Sequence, residues 1–461
     1  MSISKLTRRE FVAASTASAL FAGPPVFATN GRRRVALVGT GVRGTGFWGK
    51  HLNDNYGDVI DYVGLCDVNP GRLEYALGYM GVDCPVFTNF DTMVAETRPD
   101  LVIVTTVDST HDEFIIKGLD AGLVVVTEKP MTTDETKCQA ILDAAERSSG
   151  NLIVALNYRN GIIFSRLKEH LLAEKIGGLT SIDFHWYLNT YHGASYFRRW
   201  HGLRDKGGTL LCHKAAHHFD LLNWWIDSEP VEVHAFGALE HYGHNNPFRG
   251  ERCMGCQLKD KCEYFWDMTK DERLMALYHA NEEYDGYIRD NCLWRTEIDI
   301  FDKMAVQIRY ANDVQVSYSL TTYSPYEGFR VAFNGHKGRM ETWEGVPFLD
   351  EIQQDQALLH SKEMSQTSHT EAEIAYHEII TQLNFREFER EQVPYVRSGH
   401  WGGDQIMFDR IFRGIDKRPN LDHTADVRDG AMSVLIGIAA RKSIDEGRPI
   451  RIADLTSLTP R

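Results

Sequence analysis

Residues 35–44 read VALVGTGVRG, and the fold of the first part of the chain can be predicted from them. A short apolar run at 35–38 leads directly into GTGVRG, which has the spacing GxGxxG. In a strand–turn–helix unit, the first two glycines allow a tight turn beside a pyrophosphate, and the third allows the helix to pack closely on the strand. A lone GxGxxG is weak evidence, so the prediction depends on the residues that follow.

The residues that follow alternate between apolar runs and helical segments as far as residue 157. The runs RPDLVIVTT, LVVVTEKP and NLIVALNYRN are typical of buried parallel strands. We therefore predict an α/β fold, with a doubly wound parallel sheet of the Rossmann type at residues 32–157. Ligands of such sheets bind at the carboxyl ends of the strands.

Asp67 ends the second predicted strand, near the position where a ribose-binding acid is expected. A carboxylate there accepts hydrogen bonds from both ribose hydroxyls and repels a 2′-phosphate, which favours NAD over NADP. The alternative is a turn residue or helix cap before Pro70. The predicted cofactor-binding residues are Gly39, Gly41, Val42, Arg43, Gly44, Asp67, Thr105, His111, Glu128, Lys129 and Asn157.

Lys129 lies at another strand end, before a proline that restricts the turn. A lysine beside a nicotinamide can bind a substrate hydroxyl and stabilise charge while a hydride moves. The simpler alternative is a solvated lysine that pairs with Glu128.

The segments GTGVRG, CDVNP, TTVDSTHDE, EKPM and NYRN together resemble the glucose–fructose oxidoreductase/inositol dehydrogenase (Gfo/Idh/MocA) family. The resemblance covers most of the chain, and EKP is its most specific element. It implies a second, α+β domain with an open and largely antiparallel sheet, which we place at residues 158–461. It also implies that Lys129 contacts both the nicotinamide and the substrate.

Residues 207–225, GGTLLCHKAAHHFDLLNWW, match a motif of the family's second domain. The resemblance implies that His217 is the acid/base and that His213 replaces an aspartate. The predicted catalytic residues are therefore Lys129, His213 and His217. His213 and His217 could instead chelate a metal together, and we assign His218, Trp224 and Trp225 to packing.

Aromatic and basic residues are concentrated in YHGASYFRRWHG, at residues 191–202. Aromatic faces beside arginines are typical of a sugar site, although a basic loop over an apolar edge has the same composition. His400 and Asp404 could also reach the site or begin a helix. The predicted substrate-binding residues are Tyr158, Arg159, Arg198, Arg199, Trp200 and Asp220.

Four of the eight cysteines, Cys253, Cys256, Cys262 and Cys292, are grouped in an insertion near residues 250–292. The first two have the CxxC spacing that suits metal chelation. We predict a structural zinc site, with two disulfides or an iron–sulfur cluster as the alternatives.

The net charge of −14 argues against a nucleic-acid partner, because an acidic surface repels phosphates. Residues 1–28 are typical of a twin-arginine export signal, with Arg8 and Arg9 followed by an apolar segment and a small-residue cleavage pattern at 26–28. A Sec signal or a retained anchor is the alternative. We expect export by this machinery to the periplasm or beyond, no membrane span in the mature chain, and a homo-oligomer.

These features predict an exported oxidoreductase that holds NAD tightly and moves a hydride to or from a secondary hydroxyl of a carbohydrate. His217 would transfer the hydroxyl proton, Lys129 would stabilise the oxygen, and His213 would orient the substrate or relay the proton. One alternative is an NAD-dependent glycoside hydrolase or lyase that oxidises its substrate transiently. The other is a sugar-binding protein without turnover.

Overall fold

The computed structural model describes residues 31–351, 353–365, 374–396, 402–416 and 418–461. The predicted export signal at residues 1–28 and the site candidate His400 lie outside these ranges. Helices that are both long and apolar enough to cross a membrane are not found in the described ranges.

The first sheet has six parallel strands in the order β3-β2-β1-β4-β5-β6. This order reverses between β1 and β4, which is the crevice where doubly wound sheets bind dinucleotides. The prediction of a Rossmann sheet is confirmed. Its strands are β1 (Arg33–Val38), β2 (Ile60–Cys66), β3 (Val86–Phe87), β4 (Leu101–Val104), β5 (Val124–Thr127) and β6 (Asn151–Val154).

Side-chain caps set the starts of several connecting helices. Asn69 accepts a hydrogen bond from the Arg72 amide at the start of α2, and Asp134 accepts one from the Lys137 amide at the start of α5. Because Asp134 is the cap, α5 begins at Glu135. After a π-helix, Arg43–His51, the helices are α1 (Leu52–Tyr56), α2 (Pro70–Met80), α3 (Phe90–Thr97), α4 (His111–Asp120) and α5 (Glu135–Arg147).

The second sheet has nine strands in the order β14-β13-β12-β11-β7-β10-β9-β8-β15. Only the β7–β10 pair is parallel among the pairings described, so the expected open and largely antiparallel sheet is confirmed. Its strands are β7 (Leu179–Asn189), β8 (Pro230–Ala238), β9 (Lys303–Tyr310), β10 (Gln315–Ser324), β11 (Gly328–Gly335), β12 (Gly338–Glu344), β13 (Ile374–Leu383), β14 (Phe388–Val396) and β15 (Ile450–Arg451).

Helices cover one face of the second sheet. Along β9 the residues alternate strictly between exposed and buried, as expected for a strand with one face against helices. The helices in this part of the chain, not all of which pack on the sheet, are α6 (Ile162–Leu172), α7 (Thr190–Arg198), α8 (Arg204–Gly207), α9 (Leu210–His213), α10 (Ala216–Ile226), α11 (Glu272–Leu277), α12 (Glu282–Asp285), α13 (Pro347–Asp350), α14 (Gln356–Ser365), α15 (Gly403–Phe408) and α16 (Val427–Glu446).

The core of the first domain includes side chains from near the end of the chain. Phe408 in α15 and Phe412 after it are buried in one cluster with Val35 and Leu37 of β1. The Phe408 ring lies 4.6 Å from that of Phe47 and 5.1 Å from that of Trp48. The dinucleotide-binding domain is therefore closed by a distant segment of sequence.

Candidate functional site

A cleft of about 2020 Å³ runs from the glycine loop into the second domain. The first domain lines it with the residues that follow β1, β2, β4 and β5, among them Gly39, Asp67 and Lys129. The second domain contributes His213 and His217, from the two helices α9 and α10. The cleft thus joins the dinucleotide edge of the sheet to the predicted substrate residues.

The glycine loop leaves no room for a side chain at Gly39 or Gly44. Gly39 has φ +91°, and a Cβ there would lie 2.7 Å from the backbone of Thr105. A Cβ on Gly44 would lie 2.0 Å from the carbonyl oxygen of Gly39. Because only glycine permits these approaches, the loop has the shape that a dinucleotide pyrophosphate requires.

Asp67 is buried beside this loop, where its carboxylate accepts hydrogen bonds from Thr40 N (2.7 Å) and Asn69 N (2.9 Å). Arg72 forms an ion pair with Asp67 at 3.0 Å and a second one with Asp285 at 2.5 Å. The acid therefore lies where the sequence places it, held among donors from the first domain.

Glu128 lines the cleft directly after the carboxyl end of β5. It accepts hydrogen bonds from Trp48 Nε1 (2.8 Å) and Arg43 Nε (2.5 Å). Burial raises the pKa of Glu128, but the charges of Arg43 and Lys129 outweigh burial and hold that pKa below its usual value. The Glu128 carboxylate therefore pairs with Arg43, and the amino group of Lys129 has a different partner.

Lys129 points to His213. Lys129 Nζ lies 3.3 Å from His213 Nε2, and His213 Nδ1 lies 2.5 Å from Asp108 Oδ2. Asp108 and His213 are 3% and 7% exposed. The three side chains form a continuous chain of proton-carrying groups that opens at Lys129 into the cleft.

Burial governs the titration of this chain. It lowers the pKa of Lys129 to about 8, against the opposing charges of Asp108 and Glu128. Burial also raises the pKa of Asp108 and, together with the charge of Lys129, holds the pKa of His213 well below its usual range. A lysine with a pKa near neutrality can exchange protons during turnover.

His217 lies in the wall of the same cleft. Its ring stacks on that of Tyr158 at 4.1 Å, and Lys214 Nζ donates to the Tyr158 hydroxyl at 3.2 Å. His218 instead stacks on Trp186 at 4.0 Å and is fully buried, which fits its assignment to packing. His213 ends α9 and His217 lies in α10, so the two are not on one continuous helix.

Three of the predicted substrate residues, Arg159, Asp220 and Arg198, do not line the cleft. Arg159 and Asp220 form an ion pair at 2.5 Å in which the side chains are 2% and 0% exposed. Arg198 is directed to the cysteine segment, where its Nη1 lies 3.5 Å from Cys253 Sγ. Among the predicted residues, Tyr158, Arg199 and Trp200 do line the cleft.

The predicted cofactor residues are brought together with two exceptions. Asn157 donates to Asp404 at 2.6 Å and does not line the cleft, and Gly44 acts through packing. His111 lies between the carbonyls of Pro130 and Thr106, and so supports the EKP turn. The others line the cleft: Gly39, Gly41, Val42, Arg43, Asp67, Thr105, His111, Glu128 and Lys129.

The zinc prediction is not supported. The four cysteines line one small cavity, but no group of three or more potential ligands in the described ranges is arranged to hold a metal ion. All four are free thiols, so the disulfide alternative is absent from the structure as well. Burial raises the pKa of Cys253, although the Arg198 charge acts to lower it. Burial therefore favours the neutral thiol.

The cysteine-containing segment packs against the glycine loop instead. The hydroxyl of Tyr278 accepts a hydrogen bond from the Val42 amide at 2.9 Å. Asn69 Nδ2 donates to the Asn281 carbonyl at 2.9 Å, a few residues from the Arg72–Asp285 ion pair. Residues of the second half of this insertion therefore cover the phosphate-binding turn, a contact that cysteine spacing did not indicate.

Comparison with family models divides the chain as the structure does. Residues 33–156 match the NAD-binding Rossmann fold of the oxidoreductase family, and residues 168–452 match its C-terminal alpha/beta domain. The chain is 33% identical over 441 residues to YteT of Bacillus subtilis, which covers 92% of this chain and 98% of that protein.

Weaker similarities extend to proteins of stated activity. A glycosyl hydrolase family 109 protein of Shewanella woodyi is 22% identical over 432 residues, 89% of this chain and 82% of that protein. The WlbA dehydrogenase of Bordetella pertussis, solved with NADH and UDP-GlcNAcA, aligns with a TM-score of 0.60 at 18% identity, over 92% of this chain and 99% of that one. The protein belongs to the Gfo/Idh/MocA family of oxidoreductases, with an NAD-binding Rossmann domain followed by the family's C-terminal domain.

Proposed function

We propose that the protein oxidises a secondary hydroxyl of a carbohydrate, or reduces the matching ketone, with NAD as hydride carrier. The observation that carries this proposal is the Lys129–His213–Asp108 chain, which opens into the cleft next to the glycine loop. A similarity to an inositol 2-dehydrogenase/D-chiro-inositol 3-dehydrogenase, 23% identical over 247 residues, supports a polyhydroxylated substrate.

The residues of this chain have distinct tasks. Bound NAD supplies the nicotinamide ring that accepts or returns the hydride. Lys129 binds the reacting oxygen and, in its neutral form, takes the hydroxyl proton. His213 and Asp108 position Lys129 and offer a path for that proton. His217 is the second acid/base candidate, because it lies in the wall of the same cleft and an imidazole can both donate and accept a proton.

A redox-neutral glycoside hydrolase or lyase is the second candidate. It is favoured by the similarity to the family 109 glycosyl hydrolase over most of the chain. In this reaction oxidation of a hydroxyl to a ketone would acidify the neighbouring C–H, and elimination would expel the aglycone and leave an unsaturated ketone. A hydrolase would add water to that double bond before the ketone is reduced again, whereas a lyase would leave the double bond in place. The same side chains serve both reactions.

The decisive experiment incubates the purified protein with free sugars and with aryl glycosides. Reduced nicotinamide that accumulates in stoichiometric amounts supports the dehydrogenase, and released phenol without net reduction supports the hydrolase. We expect Lys129→Met to reduce turnover at least 100-fold, His217→Gln to reduce it less, and the surface variant Lys50→Met to leave it unchanged. Full activity of both site variants on every sugar would refute the assignment.

We also propose export by the twin-arginine route, with NAD loaded before export and retained by the folded protein, as a homo-oligomer. Arg8→Lys combined with Arg9→Lys should leave the precursor in the cytoplasm, because the receptor reads the arginine pair. Fractionation followed by immunoblotting measures this, with Arg32→Lys as the matched control. Export of the double variant at the normal rate would contradict the proposal.

A further inference from the structure

Two arginines in the cleft have no carboxylate partner among the described residues. Arg289 is 4% exposed, lines the cleft, and has a buried Nε without a hydrogen-bond partner. Arg199 lines the same cleft and uses only its Nε, which donates to the Ser195 carbonyl at 2.8 Å. A buried guanidinium without a carboxylate ion pair is costly, so an arrangement with two of them requires an explanation. Arg289 does have the Tyr287 hydroxyl as a neighbour.

The carboxylates that surround this part of the cleft are engaged elsewhere. Asp108 is bound to His213, and Glu128 is bound to Arg43 and Trp48. On the Arg289 side the neighbours are the phenols of Tyr278 and Tyr287; the Arg289 guanidinium lies 5.1 Å from the Tyr278 ring centroid. The cleft interior is therefore positive here, although the whole chain carries a net charge of −14.

The two arginines lie close to the reacting groups. The ring of Tyr196 contacts both sides: the Arg199 guanidinium is 5.0 Å from its centroid, and the His213 ring is 5.3 Å from it. Arg199 and His213 therefore both contact the ring of Tyr196. His201, whose ring lies 4.3 Å from that of His213, is held well below its usual pKa by burial and by Arg199, His213, Lys129 and Arg289.

We infer that Arg199 and Arg289 form a subsite for an anionic group on the substrate, so that the protein acts on acidic carbohydrates such as hexuronides. The planar guanidinium forks suit a carboxylate, which would accept from both arginines and from the hydroxyl of Tyr287, the neighbour of Arg289. This inference rests on the proposed carbohydrate function. The same donors could instead hold a cofactor phosphate, because Tyr278 also contacts the Val42 amide.

The test compares methyl glucuronide with methyl glucoside by calorimetry on the protein with its bound nucleotide. We expect the wild type to prefer the uronide, and Arg289→Met to lose about 10- to 100-fold of that preference. Arg199→Met should act in the same direction, Arg289→Lys should restore part of the preference, and the surface variant Arg147→Met should match the wild type.

Nucleotide content, measured on the same samples after denaturation, separates the two sources of negative charge. Normal content with lost uronide preference supports the substrate subsite. Loss of bound NAD with an unchanged preference would overturn the inference and assign the arginines to the cofactor. Absence of any preference in the wild type would also overturn it. Because binding is measured directly, failure of the sugar oxidation assay is recorded separately.

Discussion

Asp108 holds the imidazole of His213 through a 2.5 Å contact in a place where water is excluded. A buried partner of this kind fixes the ring orientation and tautomer of a histidine. Since Lys129 approaches the other ring nitrogen, the position of its amino group depends on Asp108 through His213. Asp108 is therefore a positioning residue.

Asp108→Asn should lower kcat by roughly 10-fold or more with little change in KM, because it disturbs the proton path and not substrate contacts. In the wild type, oxidation should rise as pH passes about 8, since Lys129 accepts a proton only when neutral. The charge of Asp108 raises the pKa of Lys129, so the variant's rise should move to lower pH.

Profiles of kcat/KM against pH for Asp108→Asn and for the exposed control Asp91→Asn provide the measurement. The control should reproduce the wild-type profile, because Asp91 pairs with Lys117 at the surface. A variant with reduced activity but an unshifted profile would mean that Asp108 contributes only to folding.

The residue-level predictions differ in how local their evidence is. Lys129 and the glycines could be assigned because strand, turn and motif lie within a few residues of one another. Asp108 could not, because its partner His213 lies 105 positions away. The buried ion pair of Arg159 and Asp220 could not be foreseen for a related reason: a charged side chain in a motif can either face a ligand or pair with another buried charge.

One element whose contacts the sequence did not indicate is the insertion that carries the four cysteines. The spacing of its thiols suggested metal chelation, yet the contacts that stand out are those of Tyr278, Asn281 and Asp285 with the glycine loop and α2. The Rossmann elements followed readily from apolar periodicity. The β13–β14 hairpin did not, because polar and apolar residues are mixed along both strands.

The contacts that this insertion makes with the glycine loop and α2 should slow the release of the cofactor. Asp285→Asn removes the second ion pair of Arg72 and should reduce the NAD retained through gel filtration by about threefold or more. The neighbouring exposed variant Glu283→Gln serves as the control. Equal retention by both variants would show that the insertion does not restrain the nucleotide.

At the scale of the whole molecule, the two domains share a hydrophobic core. Phe408 is fully buried against β1 and the π-helix, although the chain between them includes every strand of the second sheet except β15. The family resemblance predicted the two domains and their order. It did not predict that Phe408 packs into the core of the first domain, since contacts between residues so far apart leave no periodic signal in a single sequence.

Phe408→Ala should lower the free energy of unfolding by about 3–5 kcal/mol and weaken nucleotide retention, because it opens a cavity in the dinucleotide-binding core. Phe385, fully exposed in the β13–β14 turn, provides the matched control Phe385→Ala. Denaturant unfolding followed by tryptophan fluorescence measures the free energy of unfolding of both variants. A loss of less than about 1 kcal/mol would indicate that α15 packs only loosely on the first domain.

The same packing has a consequence for biosynthesis. The glycine loop and its strands are translated early, but their core contains Phe408, Ile411 and Phe412. A nascent chain cannot complete its nucleotide-binding domain until residue 412 has left the ribosome. Competence to hold NAD therefore arises late in synthesis, after nearly every strand of the second sheet has been translated.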